Sequence, residues 1–356
     1  MKNFTNYRLW LVGIALFMTG GLCAGCSGAD DGQSGAEPEG KLRLEMSANY
    51  AKVGDTVNFT VYKGDVDVTA NAIIRMKGDK TPCSPNYKAD RAGTRYFAAI
   101  YNESSTSYQP VRFYVPYRDE GEFFKKSLVL KFTGAWCSAC PLMYKYLGEI
   151  EVERPGRTAV MAVHSGDVFA SDVSEELVQD YRITSFPHAV FDYKTSVSNN
   201  AAELNAALDD MLAEEPAICG IALRSAVEDG EAAVKARIRV AQEDRLRLCC
   251  AVVEDGLRYD GGSSDDGLSN YYHVLRRFIT DRFGEDVGTR EAGEEFEHEF
   301  VFPVPEEWKK ENCTVFVYAL RLQEDGETVY VNNASACALD GGESDFEYEP
   351  VPETAN

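Results

Sequence analysis

One short run restricts the fold of this chain more than any other: KFTGAWCSACPLMYKYLGEI, residues 131–150. The apolar stretch KSLVLKF leads into it, and Leu142, Met143, Tyr146, Leu147 and Ile150 follow at helical spacing. The run therefore predicts a strand ending near Thr133, a short loop holding Cys137, and a helix opened by Cys140. Two intervening residues let the cysteines close into a disulfide, as thiol–disulfide exchange requires. Unpaired N–H groups and the helix dipole stabilise a thiolate at a helix N-terminus. Cys137 is thus expected to be the exposed, attacking thiol and Cys140, one turn inward, the resolving one. Pro141 suits the first helical turn, where a missing N–H costs nothing.

The pattern continues as TAVMAVH (strand), SEELVQDYRI (helix), HAVFDY (strand) and NNAAELNAALDDMLAEEP (a helix closed by Pro216). Alternating strands and helices over 118–216 make an α/β unit. Before it, residues 41–117 read as short alternating strands separated by turn signals, the pattern of a β-sandwich. After it, ICGIALRSAV, AAVKARIRV, LRLCCAVVE, FEHEFVF, CTVFVYALRL and TVYVNNASA place a second β-rich domain at 217–340, interrupted by the irregular DGGSSDDGLSNYYHVLRRFITDRFGED. Three folded domains suit a chain of 356 residues that is 44% hydrophobic. Residues 341–356 read as a disordered acidic tail and 26–40, small and acidic, as a flexible stalk.

Residues 1–25 have the architecture of a secretory signal: Lys2 and Arg8, an apolar core from Leu9 to Met18, then small residues. The core is too short to span a bilayer. LCAGC resembles a lipoprotein cleavage site, which implies lipid on Cys26 and membrane tethering through buried methylenes. Asp30 and Asp31 just beyond it resemble an outer-membrane sorting pattern, so the expectation is an outer-membrane lipoprotein of a Gram-negative cell, periplasmic or surface-facing. A formal charge of −22, more negative still once Lys2 and Arg8 are removed, repels phosphate backbones and argues against nucleic acid as a partner. Cys83, Cys219, Cys249, Cys250, Cys313 and Cys337 have no motif spacing and read as structural disulfides or buried thiols. If Cys249 and Cys250 share a strand, they point to opposite faces.

AWCSACP after an apolar strand, with SFPHAVF later in the chain, resembles the thioredoxin-like fold. The resemblance implies a cis-Pro at Pro187 lying against the cysteine pair, with Phe186 before it. Thioredoxins carry a buried Asp six residues ahead of the first Cys; here that place is Lys131, free to favour a thiolate or to point to solvent. Ser138 and Ala139 replace the usual Gly and Pro. DRAGTRYFA resembles the tyrosine-corner segment of immunoglobulin-like domains, with Tyr96 in the corner position. FTGAWCSACP, Val163–His164, YRITSFP, NYYHVLRR and VYVNNA together resemble the twenty-eight-kilodalton outer-membrane protein family over Lys126 to Ala338.

The fold class expected is therefore an α/β thioredoxin-like domain flanked by an N-terminal immunoglobulin-like β-sandwich and a C-terminal β-rich domain. The function expected is thiol–disulfide exchange with extracytoplasmic protein thiols or disulfides. Cys137, Cys140 and Pro187 form its centre, and Trp136, Phe186 and Lys131 support them. The other reading is a surface binding or adhesion protein that uses the same domain as a scaffold. No cofactor or metal is implied: structural zinc needs four ligands and no second pair exists, and the thioredoxin-fold metallochaperones that bind copper through two cysteines and a histidine have wider cysteine spacing and a differently placed histidine. His188 is expected to turn away from Cys137, His164 to be structural, and His273 with Arg276 and Arg277 to belong to a packed insertion and not to a basic docking patch.

Overall fold

A computed structural model describes residues 38–323, 326 and 328–350. Cys26, the signal segment and most of the stalk lie outside these residues. The described residues from Gly40 onward cluster as one compact unit.

Residues 42–114 form two facing sheets. One contains Leu42–Met46 and Thr56–Lys63; the other contains Tyr50–Lys52, Gln109–Tyr114, Gly93–Tyr101 and Ile73–Met76. Alternation puts Val57, Phe59 and Val61 of the first against Phe97, Ala99, Val111 and Phe113 of the second. The Tyr96 ring lies under the Lys77 ammonium, 5.3 Å away.

The strands and helices that follow are labelled in chain order: β1 (Ser127–Thr133), α1 (Cys140–Glu153), β2 (Thr158–His164), α2 (Asp172–Asp180), β3 (His188–Phe191), β4 (Thr195–Ser198) and α3 (Ala201–Glu214). β1 runs parallel to β2 and antiparallel to β3, which pairs antiparallel with β4. Val129, Ala189 and Phe191 meet Met143, Leu147 and Ile150 of α1 and Leu204, Leu208 and Met211 of α3. Leu128, Leu130, Phe132, Met161 and Val163 face the opposite side, with Leu177 of α2. β1 is buried along its whole length because both faces are covered.

The β-rich part then supplies β5 (Cys219–Glu228), β6 (Glu231–Val240), β7 (Asp244–Glu254), β8 (Val274–Phe278), β9 (Glu295–Pro303), β10 (Cys313–Leu322) and β11 (Val329–Ala338). The expected boundary at 216/217 is not a break in the sheet. β8 joins the free edge of β2, with Ala162 opposite Val274, and β7, β10 and β11 continue the same nine-stranded sheet. The Ala162 N–H donates to the His273 carbonyl at 2.7 Å. An unpaired β2 edge would leave backbone groups unsatisfied, and β8 covers it. β5, β6 and β9 form a second sheet that packs on β7 and β10 through Ile221, Val234, Ile238, Leu248, Val252, Phe300 and Val317. Cys250 faces this inter-sheet core and Cys249 the other side of the sheet. All six non-motif cysteines are free thiols.

A buried polar knot holds the layers together. The Lys125 ammonium lies 2.8 Å from the Asp192 carboxylate, both essentially without solvent exposure. It also donates to the carbonyls of Val331 and Asn332. Asp192 accepts from the Leu128 N–H at 2.7 Å. Asn332 ties the turn into β5, accepting from Ile218 N–H at 2.8 Å and donating to the Pro216 carbonyl at 3.0 Å. Asn333 accepts from Lys126 N–H and donates to the carbonyls of Phe124 and Cys219. Burial pushes the Asp192 carboxyl up against the pull of Lys125.

The tail differs from expectation. Residues 343–350 are docked: Glu343–Ser344 extend the sheet beside β5, and the Tyr348 ring stacks on buried Phe123 at 5.2 Å. Glu349 accepts from both terminal guanidinium nitrogens of Arg157 at 2.6 Å each, and Glu347 pairs with Lys126. Acidic residues read as a solvated run from composition, yet here each of these two meets a cation.

Two stability outcomes follow. Lys125→Met leaves Asp192 buried without its counter-charge and is expected to cost about 3–5 kcal/mol in urea unfolding; a loss under about 1 kcal/mol would show that the pair does not matter. Truncation after Gly342 removes the Tyr348–Phe123 stack and the bidentate Arg157 pair, an expected loss of about 2 kcal/mol. A solvated tail would leave the unfolding midpoint unchanged.

Candidate functional site at the Cys137–Cys140 disulfide

β1 ends at Thr133, and residues 134–139 form the loop that turns into α1. Cys140 opens the helix and Pro141 occupies its first turn. The loop folds on itself: Cys137 N–H donates to the Gly134 carbonyl at 2.9 Å and Cys140 N–H to the Cys137 carbonyl at 3.2 Å. The two cysteines form a disulfide with their Cα atoms 5.5 Å apart. Cys137 is not the exposed residue expected: it is 5% accessible, and Cys140 2%. The short loop tucks the first sulfur against the helix start, while its neighbour Trp136 takes the surface, 56% exposed.

Trp136 is fixed from two sides. Its indole N–H donates to the Ser165 carbonyl at 2.8 Å, and its ring meets the edge of Phe186 at 5.2 Å. Gly134 makes this possible, since a side-chain carbon there would lie 2.6 Å from the indole nitrogen. The Phe186–Pro187 peptide is cis. His188 opens β3 opposite Phe132 near the end of β1, so Pro187 and the cysteine loop lie at the same end of the sheet. The His188 imidazole hydrogen-bonds Ser196 on β4 at 2.5 Å, and burial lowers its basicity.

Lys131 does not reach solvent. It is fully buried, and its ammonium lies 2.8 Å from the Asp265 carboxylate, itself 4% exposed. The ammonium also sits 5.1 Å from the ring centre of Tyr144 on α1. Asp265 belongs to the irregular excursion between β7 and β8, which packs against the cysteine loop. Its second oxygen accepts from Tyr272 N–H at 3.1 Å, and the Tyr272 ring stacks on Tyr144 at 5.6 Å. Sequence reading did not single out Asp265. The available signal was a lysine inside an otherwise apolar strand, because a charge buried there demands a partner.

The excursion and the β2–α2 loop hold the two backbone groups of Ala135. Ser263 N–H donates to the Ala135 carbonyl at 2.7 Å, and the Asp167 carboxylate accepts the Ala135 N–H at 2.6 Å. The same Asp167 oxygen lies 2.6 Å from His164 Nδ1. Burial alone would raise the Asp167 carboxyl, but His164 and the Ala135 and Phe169 amides hold it below its usual value. His164 is packed between Phe169 and Tyr271, so its role is to buttress the loop. His273 pairs with Asp255 and Arg276 with buried Glu254, which ties that cluster into the insertion.

Among solved structures, the chain resembles HBP35 of Porphyromonas gingivalis, at 17% identity and a TM-score of 0.54 over 66% of this chain and 82% of that one. It also aligns with protein AGR_C_4864 from Agrobacterium tumefaciens, at 18% identity and a TM-score of 0.46 over 63% of this chain and 98% of that one. No curated protein matches the chain significantly. Residues 174–337 match the family described as Outer membrane protein Omp28. The match begins inside α2, so it takes in Pro187, Asp265 and Asn332–Asn333 and leaves out Cys137 and Cys140. It supports an outer-membrane location for the chain.

Proposed function

We propose that this is an envelope-anchored thiol–disulfide oxidoreductase, held to the membrane by lipid on Cys26, with residues 118–216 as a thioredoxin-like unit. The observation that carries the reading is a disulfide at a strand–helix junction, at the same sheet end as cis-Pro187 and beside the exposed Trp136. The strand order β4-β3-β1-β2, with α1 and α3 on one face and α2 on the other, is the arrangement such a unit has. Residues 41–117 act as an immunoglobulin-like spacer.

In the reducing direction, the Cys137 thiolate attacks a partner disulfide, forming a mixed disulfide and releasing one partner thiolate. Cys140 then attacks the Cys137 sulfur, expels the second partner thiolate and restores the internal disulfide. The oxidising direction is the reverse sequence. The positive end of α1 stabilises the Cys137 thiolate. The Trp136 and Phe186 rings offer an apolar surface on which a partner chain can lie.

A second reading follows from the low accessibility of Cys137. A covered disulfide also suits a scaffold in a surface binding protein, where it is a permanent staple. Cys140→Ser in the native host separates the two. Exchange chemistry predicts mixed disulfides trapped through Cys137 that vanish in the Cys137→Ser/Cys140→Ser double variant. No trapped partner, with a wild-type disulfide that survives physiological glutathione ratios, would identify the scaffold.

A further inference from the structure

Burying an ammonium in a sheet is costly unless a carboxylate meets it. Among the described residues Lys131 meets that condition through Asp265, which lies 134 residues further along the chain and reaches it on the excursion between β7 and β8. The location of the pair matters more than its presence. Cys140 and Tyr144 are four residues apart on α1 and share a helical face. The Lys131 ammonium lies 5.1 Å from the Tyr144 ring, so the pair sits beside the helix that Cys140 opens, one turn along from it. Val129, two residues earlier on β1, points to the same α1 side.

The other charged groups around this point are acids with their own partners. Asp255 is held by His273, Asp266 by Asn270 and Tyr272, and Asp167 by His164. Tyr144 and Tyr271 supply neutral phenols. Lys131 is the cation that the described ion pairs place here, and Asp265 is the carboxylate in direct contact with it.

We propose that the charges of Lys131 and Asp265 bias the reduction potential of the Cys137–Cys140 disulfide in opposite directions, Lys131 favouring the reduced, thiolate form and Asp265 offsetting it. Both are positioning residues, and the proposal rests on the redox reading of the site. The electrostatic argument has a definite sign. Reduction breaks the Cys137–Cys140 bond, takes up two electrons and one proton, and leaves a thiol and a thiolate. A nearby positive charge stabilises the thiolate and makes the disulfide more oxidising; a nearby negative charge does the opposite. Within the pair the two fields largely cancel. The β-rich part therefore acts on the cysteine chemistry through one carboxylate.

The test uses the full-length protein equilibrated in glutathione buffers, where two glutathione thiols become one glutathione disulfide as Cys137–Cys140 opens. Alkylation and mass spectrometry count the dithiol fraction. Asp265→Asn unmasks the ammonium and is expected to shift the equilibrium at least tenfold toward dithiol, about 30 mV for a two-electron couple. Lys131→Met leaves the carboxylate unopposed and is expected to shift it at least tenfold the other way. The double variant Lys131→Met/Asp265→Asn is expected to return to within threefold of wild type. Single variants that shift in the same direction, or four proteins with one common equilibrium, overturn the proposal.

Near-UV circular dichroism checks folding. If one single variant fails to fold, the other against the double still reads the sign, and no difference between them overturns the pair's role. No protein partner is needed, so the outcomes separate. Shifted equilibria without trapped partners would count against exchange function alone; trapped partners with unshifted equilibria would count against the pair alone.

Discussion

The contact between Lys125 and Asp192 is the point on which the arrangement depends. Both groups are wholly buried, one entering β1 and the other leaving β3, and the lysine's remaining donors reach β11. A charge in that position is tolerable only if every partner is in place. The pair therefore fixes the α/β layer and the β-rich layer in a single register. Asn332 and Asn333 complete the constraint by taking over backbone groups from the chain ahead of β1 and the turn into β5. The VNN of VYVNNA, a sequence feature with no evident chemistry, is a structural junction.

That junction explains how the cysteine loop is held. Because β8 continues the sheet from β2, the excursion preceding it emerges beside the loop that follows β1. Ser263 and Asp167 then bind opposite backbone groups of Ala135, and Asp265 reaches under α1. A loop with both backbone groups of one residue satisfied by separate elements has little freedom to reposition its neighbours. The cysteine loop is thus framed by the nearby β2–α2 loop and by an excursion more than a hundred residues further along the chain.

Local signals carried much of this into the sequence. The strand before Cys137, the helix from Cys140, the strand at His188 and the opposite faces of Cys249 and Cys250 follow from short-range periodicity and hold in the structure. What was not legible depends on distant partners. An apolar strand does not reveal whether its edge is free, so the join of β2 to β8 was hidden. A lysine in a strand can face either way, and only Asp265 explains why Lys131 faces inward. Cys137 looked exposed by its place in a loop, but Trp136 occupies the surface instead. The C-terminal acids read as solvated because composition does not show Arg157 and Lys126 waiting for them.

Tyr348 on Phe123 and Glu349 on Arg157 join some of the last residues of the chain to the entry of the α/β layer. A chain that emerges N-terminus first can form its N-terminal β-sandwich early, since the contacts there are local. The α/β layer cannot be completed in that order. Lys125 waits for β11, Lys131 waits for the excursion, and Phe123 is not fully covered until Tyr348 arrives. This order leaves the α/β layer unfinished until distant segments have arrived, and makes residues 348–349 the pieces that close it.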